Sequence, residues 1–297
     1  MQRDIQQSDR NRESAISLIF LKKYDIINIY KGGRNMKYCL SGRQTPEYLK
    51  KADEILVEGR DYRVISDYFI DYPDKTIILD YNAEFFEKNA IDIFDIIKQY
   101  AEMSKNFVCR LHTLQSVFWF MENGIKFYYA YPVNNYYDMK ALMDLGVEYI
   151  NITAPLTFSM DKLPVGEYYP KFRMVPNVAY EGYIPRDNGI EGDWVRPEDV
   201  EFYESGIYVF DFEDINLDKE RTLFDIYSRR SWKGNLNFLI TNLNENVTNT
   251  TVPDEFGLYR STCGQRCMQN GTCHYCETAL KWEKTLLEYK RNNETKE

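Results

Sequence analysis

The sequence predicts an α/β protein, in which a (β/α)8 barrel of the TIM type is followed by a short Cys-rich C-terminal segment. Short runs rich in β-branched and aromatic residues recur along the chain, and segments with helical periodicity separate them. No Gly-x-Gly-x-x-Gly fingerprint follows the first run, which argues against an open dinucleotide-binding sheet. With 297 residues, 44% of them hydrophobic, the chain is long enough for one such domain with an appendage.

The N-terminal stretch precedes the repeating pattern. Residues 1–35 begin with polar residues and continue through short apolar runs, so we interpret them as an N-terminal extension. The first clear strand opens at Met36, and we assign residues 36–250 to the barrel. Residues 251–297 then comprise the Cys-rich segment and a terminal helix.

Eight runs have the length and composition of strands. They are residues 36–40, 54–58, 76–80, 107–111, 126–131, 148–152, 172–175 and 207–212. Apolar periodicity and capping residues, such as Thr45 before Pro46, indicate helices. These helices include residues 45–49, 83–105, 138–145 and 218–230. Strands that alternate with helices pair in parallel, and eight such units match a closed barrel.

Polar residues that follow the strands are the candidates for chemistry, because active sites of this fold lie at the C-terminal ends of the strands. The candidate catalytic residues are Asp80, Arg110, His112, Arg196 and Glu213. The candidate substrate-binding residues are Arg43, Asn82, Asn134, Asn151 and Asn177. Arginine forks, amides and carboxylates around one opening suit a small, polar, anionic ligand. The alternative is that individual members of this set are helix N-caps or loop-solvating residues.

The loop before Pro197 is the second informative stretch. Pro197, Glu198 and Asp199 are typical of a first helical turn, with acidic side chains near the positive end of the helix dipole. Trp194 and Arg196 come directly before that turn, and we expect the Arg196 guanidinium to lie over the pocket. The alternative is a loop anchored by a buried tryptophan.

Four of the six cysteines lie close together near the end of the chain. Cys263, Cys267, Cys273 and Cys276 are separated by three, five and two residues, so their sulfur atoms can converge on one point. This spacing indicates a thiolate-bound metal centre, and it leaves an iron–sulfur cluster, a zinc site or a disulfide-stapled cap open. Persistent thiolates predict a reducing compartment, the cytoplasm.

Composition and missing motifs exclude several function classes. A formal net charge of -9 without a long basic run argues against non-specific binding to DNA or RNA. No apolar run is long enough to predict a membrane span. The chain contains neither Gly-x-Ser-x-Gly nor His-Glu-x-x-His, and Cys39 and Cys109 are predicted to be buried thiols in strands. These observations weigh against the common protease mechanisms.

Several motifs resemble those of the peptidase U32-like family. They are residues 194–199 (Trp-Val-Arg-Pro-Glu-Asp), Tyr203, Gly206, residues 234–236 (Gly-Asn-Leu) and the four terminal cysteines. The resemblance implies a TIM-type barrel with a four-iron, four-sulfur cluster on Cys263, Cys267, Cys273 and Cys276. In this chain all four ligands lie in one C-terminal knot, whereas better-known branches of the family draw on a more dispersed set.

The function hypothesis that follows is an iron–sulfur barrel enzyme. Its expected reaction is an oxygen-independent modification, such as hydroxylation, of a small anionic metabolite or of a nucleoside in RNA. One alternative is a hydrolase that uses the same opening and keeps a purely structural zinc knot. Another is a binding or assembly protein that retains the barrel without catalysis.

Overall fold

A computed structural model describes eight stretches of the chain. They are residues 36–88, 92–113, 116–133, 135–153, 170–177, 194–204, 207–212 and 216–241. The predicted N-terminal extension and the Cys-rich segment lie outside these stretches. Among the described residues, no helix is long and apolar enough to cross a membrane.

The centre of the fold is a sheet of eight strands, and every described pairing within it is parallel. The strands are β1 (Lys37–Ser41), β2 (Glu54–Glu58), β3 (Thr76–Tyr81), β4 (Phe107–Leu111), β5 (Phe127–Tyr129), β6 (Tyr149–Asn151), β7 (Lys171–Met174) and β8 (Val209–Phe210). Their order in the sheet is β5-β4-β3-β2-β1-β8-β7-β6, so the first and last of the described strands are neighbours.

The two outer strands of this order, β5 and β6, meet just beyond their C-terminal ends. The amide of Val133 donates to the carbonyl of Asn151 at 2.8 Å, and the amide of Thr153 donates to the carbonyl of Val133 at 3.0 Å. A parallel bridge between Val133 and Ile152 results. This bridge joins the edges of the sheet, and the predicted (β/α)8 barrel is confirmed.

Helices lie between the strands and after β8. They are α1 (Pro46–Lys51), α2 (Ile65–Asp71), α3 (Ala83–Lys88), α4 (Phe94–Met103), α5 (Val117–Glu122), α6 (Tyr136–Asp144), α7 (Leu217–Arg229) and α8 (Leu236–Leu239). Two 3-10 helices span Gly59–Val64 and Pro197–Phe202. Pro46 takes the first position of α1, and Gly146, just after α6, has a φ of +78° that glycine adopts without strain.

The single helix predicted for residues 83–105 is wrong, since the described structure has two helices, α3 and α4. Phe86 of α3 stacks on Tyr81 at 5.6 Å between ring centroids, which holds α3 over the C-terminal end of β3. Tyr100 of α4 contacts Phe107 at the start of β4. The apolar residues that suggested one continuous stripe therefore pack against opposite ends of neighbouring strands.

Two apolar clusters make up the core. The larger fills the space between strands and helices, and Trp194, Phe86 and Phe120 are among its buried rings. The smaller lies inside the barrel and contains Cys39, Ile78, Val108, Tyr128, Tyr149 and Val209. Because alternate residues of a strand share a face, residues two positions beyond these also point into the barrel, at its C-terminal end.

Candidate active site at the barrel mouth

Three of the predicted catalytic residues come together at the ends of β3 and β4. Asp80 follows the interior residue Ile78 by two positions, and Arg110 follows the interior residue Val108 in the same way. Asp80 and Arg110 are also direct partners in the parallel pairing of the two strands. His112 lies two positions beyond Arg110, so all three side chains point to the mouth of the barrel.

The contacts among these three side chains are polar. His112 Nε2 lies 2.6 Å from Asp80 Oδ1, and Arg110 Nε lies 3.7 Å from the same oxygen. An ionised carboxylate accepts hydrogen bonds, so Nε2 carries the proton of a neutral His112 and Nδ1 keeps the lone pair. The side chains of His112, Asp80 and Arg110 are 29%, 24% and 15% exposed, which leaves room for a ligand to reach them.

The row of side chains across the mouth continues on both sides of this group. Glu58 of β2 pairs with Asp80, and Tyr128 of β5 pairs with Arg110. The Glu58 carboxylate in turn forms salt bridges with Arg43 at 2.9 Å and with Arg60 at 2.7 Å.

Arg43 is therefore already engaged by carboxylates of its own protein. Besides Glu58, it contacts Asp61 at 2.9 Å, and its side chain is 37% exposed. A substrate anion would have to compete with these two carboxylates for the guanidinium. Arg110 lies beside the Asp80–His112 pair at the ends of β3 and β4, and this position makes it a candidate for holding an anionic group.

The predicted asparagines lie in different environments. Asn82 Oδ1 accepts from the amide of Phe85 at 3.3 Å, as a helix-capping residue does at the start of α3. Asn151 and Asn177 are buried, and Asn151 Nδ2 donates to the carbonyl of Ala130 at 2.7 Å. Asn82 thus fits the helix-cap alternative, whereas Asn151 points into the barrel.

Some predicted site residues lie outside the described residues. They are Asn134, Glu213, Cys263, Cys267, Cys273 and Cys276. Within the described part of the chain, no group of three or more His, Cys, Asp or Glu side chains could hold a metal ion. Cys39 and Cys109 are buried thiols, and burial raises the pKa of both, which disfavours the thiolate.

The structure places Arg196 away from the solvent. The residue is 3% exposed, and its Nε and Nη2 atoms contact the two oxygens of Asp199 at 2.7 and 2.8 Å. Asp199 belongs to the 3-10 helix that begins at Pro197. Trp194, which precedes this helix, is fully buried. These contacts fit the anchored-loop alternative for this stretch, with a bidentate ion pair as the anchor.

A second ionic group inside the barrel escaped prediction from sequence. Arg173 of β7 binds both oxygens of Asp211, at 3.0 and 2.6 Å, and its Nη1 also donates to Glu54 of β2. The guanidinium lies 4.2 Å from the centre of the Tyr128 ring. We call Arg173, Asp211 and Glu54 the interior ionic cluster. The sequence signal that could have predicted this cluster is a charged residue at an inward-facing position of an otherwise apolar strand.

One guanidinium serves two carboxylates in the interior ionic cluster. Desolvation dominates, and it raises the pKa of Glu54 even though Arg173 acts in the opposite direction. Burial also raises the pKa of Tyr128 well above its ordinary value, so its hydroxyl stays protonated. The interior ionic cluster and the Tyr128 hydroxyl are therefore buried polar groups within the barrel, below the mouth.

Glu220 of α7 supports the loop that follows β1. Its Oε1 accepts from the amide of Ser41 at 2.9 Å, and its Oε2 accepts from the side chain of Gln44. Burial raises the pKa of Glu220, and these two hydrogen bonds act in the opposite direction. The contacts tie α7 to the first strand end of the mouth.

Comparisons with protein-family models and with curated proteins found no match for this chain.

Proposed function

We propose that the protein is an enzyme that moves a proton to and from a small anionic molecule bound at the barrel mouth. The observation that carries this proposal is the 2.6 Å contact between His112 and Asp80 beside Arg110, at the ends of neighbouring strands. Catalytic groups of (β/α)8 enzymes lie at this end of the barrel. A histidine oriented by a carboxylate is a frequent acid–base catalyst.

Each of the three side chains has a separate role in this mechanism. His112 Nδ1 accepts a proton from the substrate and becomes an imidazolium, while Asp80 orients the ring and stabilises its positive charge. Arg110 binds the anionic group and stabilises the negative charge that develops as the proton leaves. The imidazolium then returns the proton to the product, so no other reactant is consumed.

Hydrogen exchange with solvent tests this proposal without knowledge of the full reaction. The protein is incubated in D2O with pyruvate, dihydroxyacetone phosphate or uridine 5′-monophosphate, and deuterium incorporation is measured by mass spectrometry. We expect His112→Gln to slow the exchange by about 100-fold or more, which is the usual size of an acid–base contribution. Arg110→Ala is expected to weaken binding of the same compounds.

Arg229→Ala is the matched control, because Arg229 lies on α7, outside the mouth. It should exchange as the unaltered protein does. Exchange that survives His112→Gln would contradict the proposal. Ligand binding that depends on Arg110 without any exchange would favour the non-catalytic binding protein instead.

An iron–sulfur enzyme with the same mouth is a second candidate. The observation that favours it is the spacing of Cys263, Cys267, Cys273 and Cys276 in the sequence. Such a centre would carry electrons in an oxygen-independent modification, such as hydroxylation, of a small anionic metabolite or an RNA nucleoside. A hydroxylation that takes its oxygen from water removes two electrons and two protons from the substrate, so the centre would pass the electrons to an external acceptor. The cytoplasm is the compartment that suits this centre.

Metal analysis of protein purified without air distinguishes the candidates. Iron with acid-labile sulfide supports the iron–sulfur enzyme, and stoichiometric zinc in a colourless sample supports a hydrolase with a structural knot. Cys273→Ser should remove most of the metal, because each thiolate of a four-ligand site is needed. Cys39→Ser should retain it, since Cys39 lies inside the barrel. The reverse result would contradict this ligand set.

A further inference from the structure

Three buried side chains inside the barrel each have a polar atom without a partner in the described structure. The atoms are the hydroxyl of Tyr128, Oδ1 of Asn151 and Oγ1 of Thr153. The three residues are 1%, 2% and 3% exposed. Buried polar groups of native proteins are nearly always hydrogen-bonded, to protein, water or ligand. Each of these three atoms therefore lacks, among the described residues, a hydrogen-bonding partner that a bound polar molecule could supply.

The three side chains lie in one sector, between β5 and β6. Asn151 and Thr153 follow the interior residue Tyr149 by two and four positions, so they also point inward. The Asn151 side chain reaches across to β5, where it donates to the carbonyl of Ala130. Tyr128 is the pairing partner of Arg110, which places this sector next to the proposed anion-binding residue.

The hydrogen bond to Ala130 decides which end of the Asn151 amide is available. Nδ2 donates to the Ala130 carbonyl at 2.7 Å, and the flipped amide would set two acceptors against each other. Oδ1 is therefore the available atom, and it can only accept. A molecule that satisfies it must carry an O–H or N–H donor. The hydroxyls of Tyr128 and Thr153 can donate or accept, so they complement either kind of group.

We propose that this sector, which we call the β5–β6 subsite, binds the hydroxyl or amino group of a small anionic substrate. Oδ1 of Asn151 accepts from that group, and the hydroxyls of Tyr128 and Thr153 complete its hydrogen bonding. The inference rests on the proposed function only in that Arg110 holds the anionic end. It narrows the substrate class to hydroxy- or amino-substituted carboxylates and phosphates.

Matched pairs of compounds test the subsite directly. Glycerol 3-phosphate and propyl phosphate differ only in hydroxyl groups, and lactate and propionate differ in one. Isothermal titration calorimetry should show tighter binding of the hydroxylated member of a pair. Tyr128→Phe and Thr153→Val, which keep the shape of the side chain, should each reduce that preference about 3- to 10-fold, the size of one neutral hydrogen bond.

Stability without ligand provides a readout that does not depend on the choice of compounds. Neither hydroxyl has a partner to lose, so Tyr128→Phe and Thr153→Val should leave the melting temperature unchanged or raise it. A marked fall in both variants would assign the hydroxyls to internal hydrogen bonding and overturn the proposal. Tyr137→Phe, on the exposed side of α6, is the matched control for both readouts.

The binding outcomes separate this inference from the proposed function. Equal binding of both members of every pair, no binding of any member, or a preference unaffected by both variants would overturn the subsite. Arg110→Ala should weaken both members of a pair equally. If it leaves binding unchanged while Tyr128→Phe lowers the hydroxyl preference, the subsite stands and the anion-binding role of Arg110 fails.

Discussion

The mouth group and the interior ionic cluster combine similar residues in different surroundings. At the mouth, Asp80 serves both His112 and Arg110, and all three side chains retain solvent access. Inside the barrel, Arg173 serves Asp211 and Glu54, and the Arg173 side chain is fully buried. Both groups face the barrel axis, and burial is what distinguishes them.

Solvent access determines which of the two groups can exchange an ion-pair partner for a ligand. A buried ion pair cannot give up a partner to a ligand without leaving a charge uncompensated in a medium of low polarity. A partly exposed pair has water as an alternative partner, so a ligand can replace one contact at small cost. We therefore assign proton transfer to the mouth group and stability to the interior ionic cluster, and the following variants test that division.

Replacement of Arg173 should have the largest effect on stability. Arg173→Met leaves Glu54 and Asp211 without their shared cation, and we expect a loss of about 5 kcal/mol in the free energy of unfolding. Urea-induced unfolding measures it. Arg43→Met is the control at the mouth, because Arg43 forms part-exposed pairs, and it should change stability by at most about 1 kcal/mol. Similar losses of stability in both variants would contradict the assignment of stability to the interior ionic cluster.

Arg196→Ala should have the next largest effect, about 3 kcal/mol, because it removes the bidentate ion-pair partner of the buried Asp199 carboxylate. A guanidinium over an open pocket would instead lower ligand binding and leave unfolding nearly unchanged. Arg196→Lys separates charge from geometry, since lysine cannot form the two parallel contacts. Unaltered stability in Arg196→Ala would contradict the anchoring role and favour a guanidinium that lies over the pocket.

The pH dependence of stability tests the shared guanidinium. The raised pKa of Glu54 means that the native protein holds a proton that the unfolded chain releases above its ordinary pKa of 4.5. The contribution of Glu54 is therefore fully present below pH 4.5 and falls as pH rises towards its native pKa, by at most about 1.4 kcal/mol per pH unit. Glu54→Gln should lose this fall.

The quantity to compare is the difference in the free energy of unfolding between the unaltered protein and Glu54→Gln at each pH. Among the described residues, Glu220 is also a buried carboxyl with a raised pKa, and because it is present in both proteins its contribution cancels in the difference. Urea unfolding between pH 4 and 8 should show Glu54→Gln becoming relatively more stable as pH rises. A constant difference would mean that Glu54 titrates alike in the folded and unfolded protein.

The smallest effect on stability should come from the proposed catalytic residue. His112→Gln removes a part-exposed contact at the mouth, and we expect a change within about 0.5 kcal/mol. The same variant should slow deuterium incorporation into the substrate. The substitution would then lower activity without lowering stability. A large loss of stability would place His112 with the structural residues.

The barrel and part of the site were predictable because their signals are local. Strand composition alternating with helical periodicity predicted the parallel barrel, and the strand ends placed Asp80, Arg110 and His112 among the candidate residues at the mouth. The helix prediction over residues 83–105 failed because periodicity does not reveal that Phe86 and Tyr100 pack against different strands. The roles of the cysteine cluster and of Glu213 stay predictions.

Local residue patterns predict the eight strands, their parallel direction and the residues at their C-terminal ends. Which charged side chains meet depends on how the whole chain packs. Arg173 and Glu54 are 119 residues apart, and their contact exists because closure of the barrel brings β2 and β7 to a common interior. The same closure sets Asn151 beside Ala130, whereas folding of its own loop buries Arg196 on Asp199. Burial is a property of the whole packed chain, and residue type alone does not disclose it.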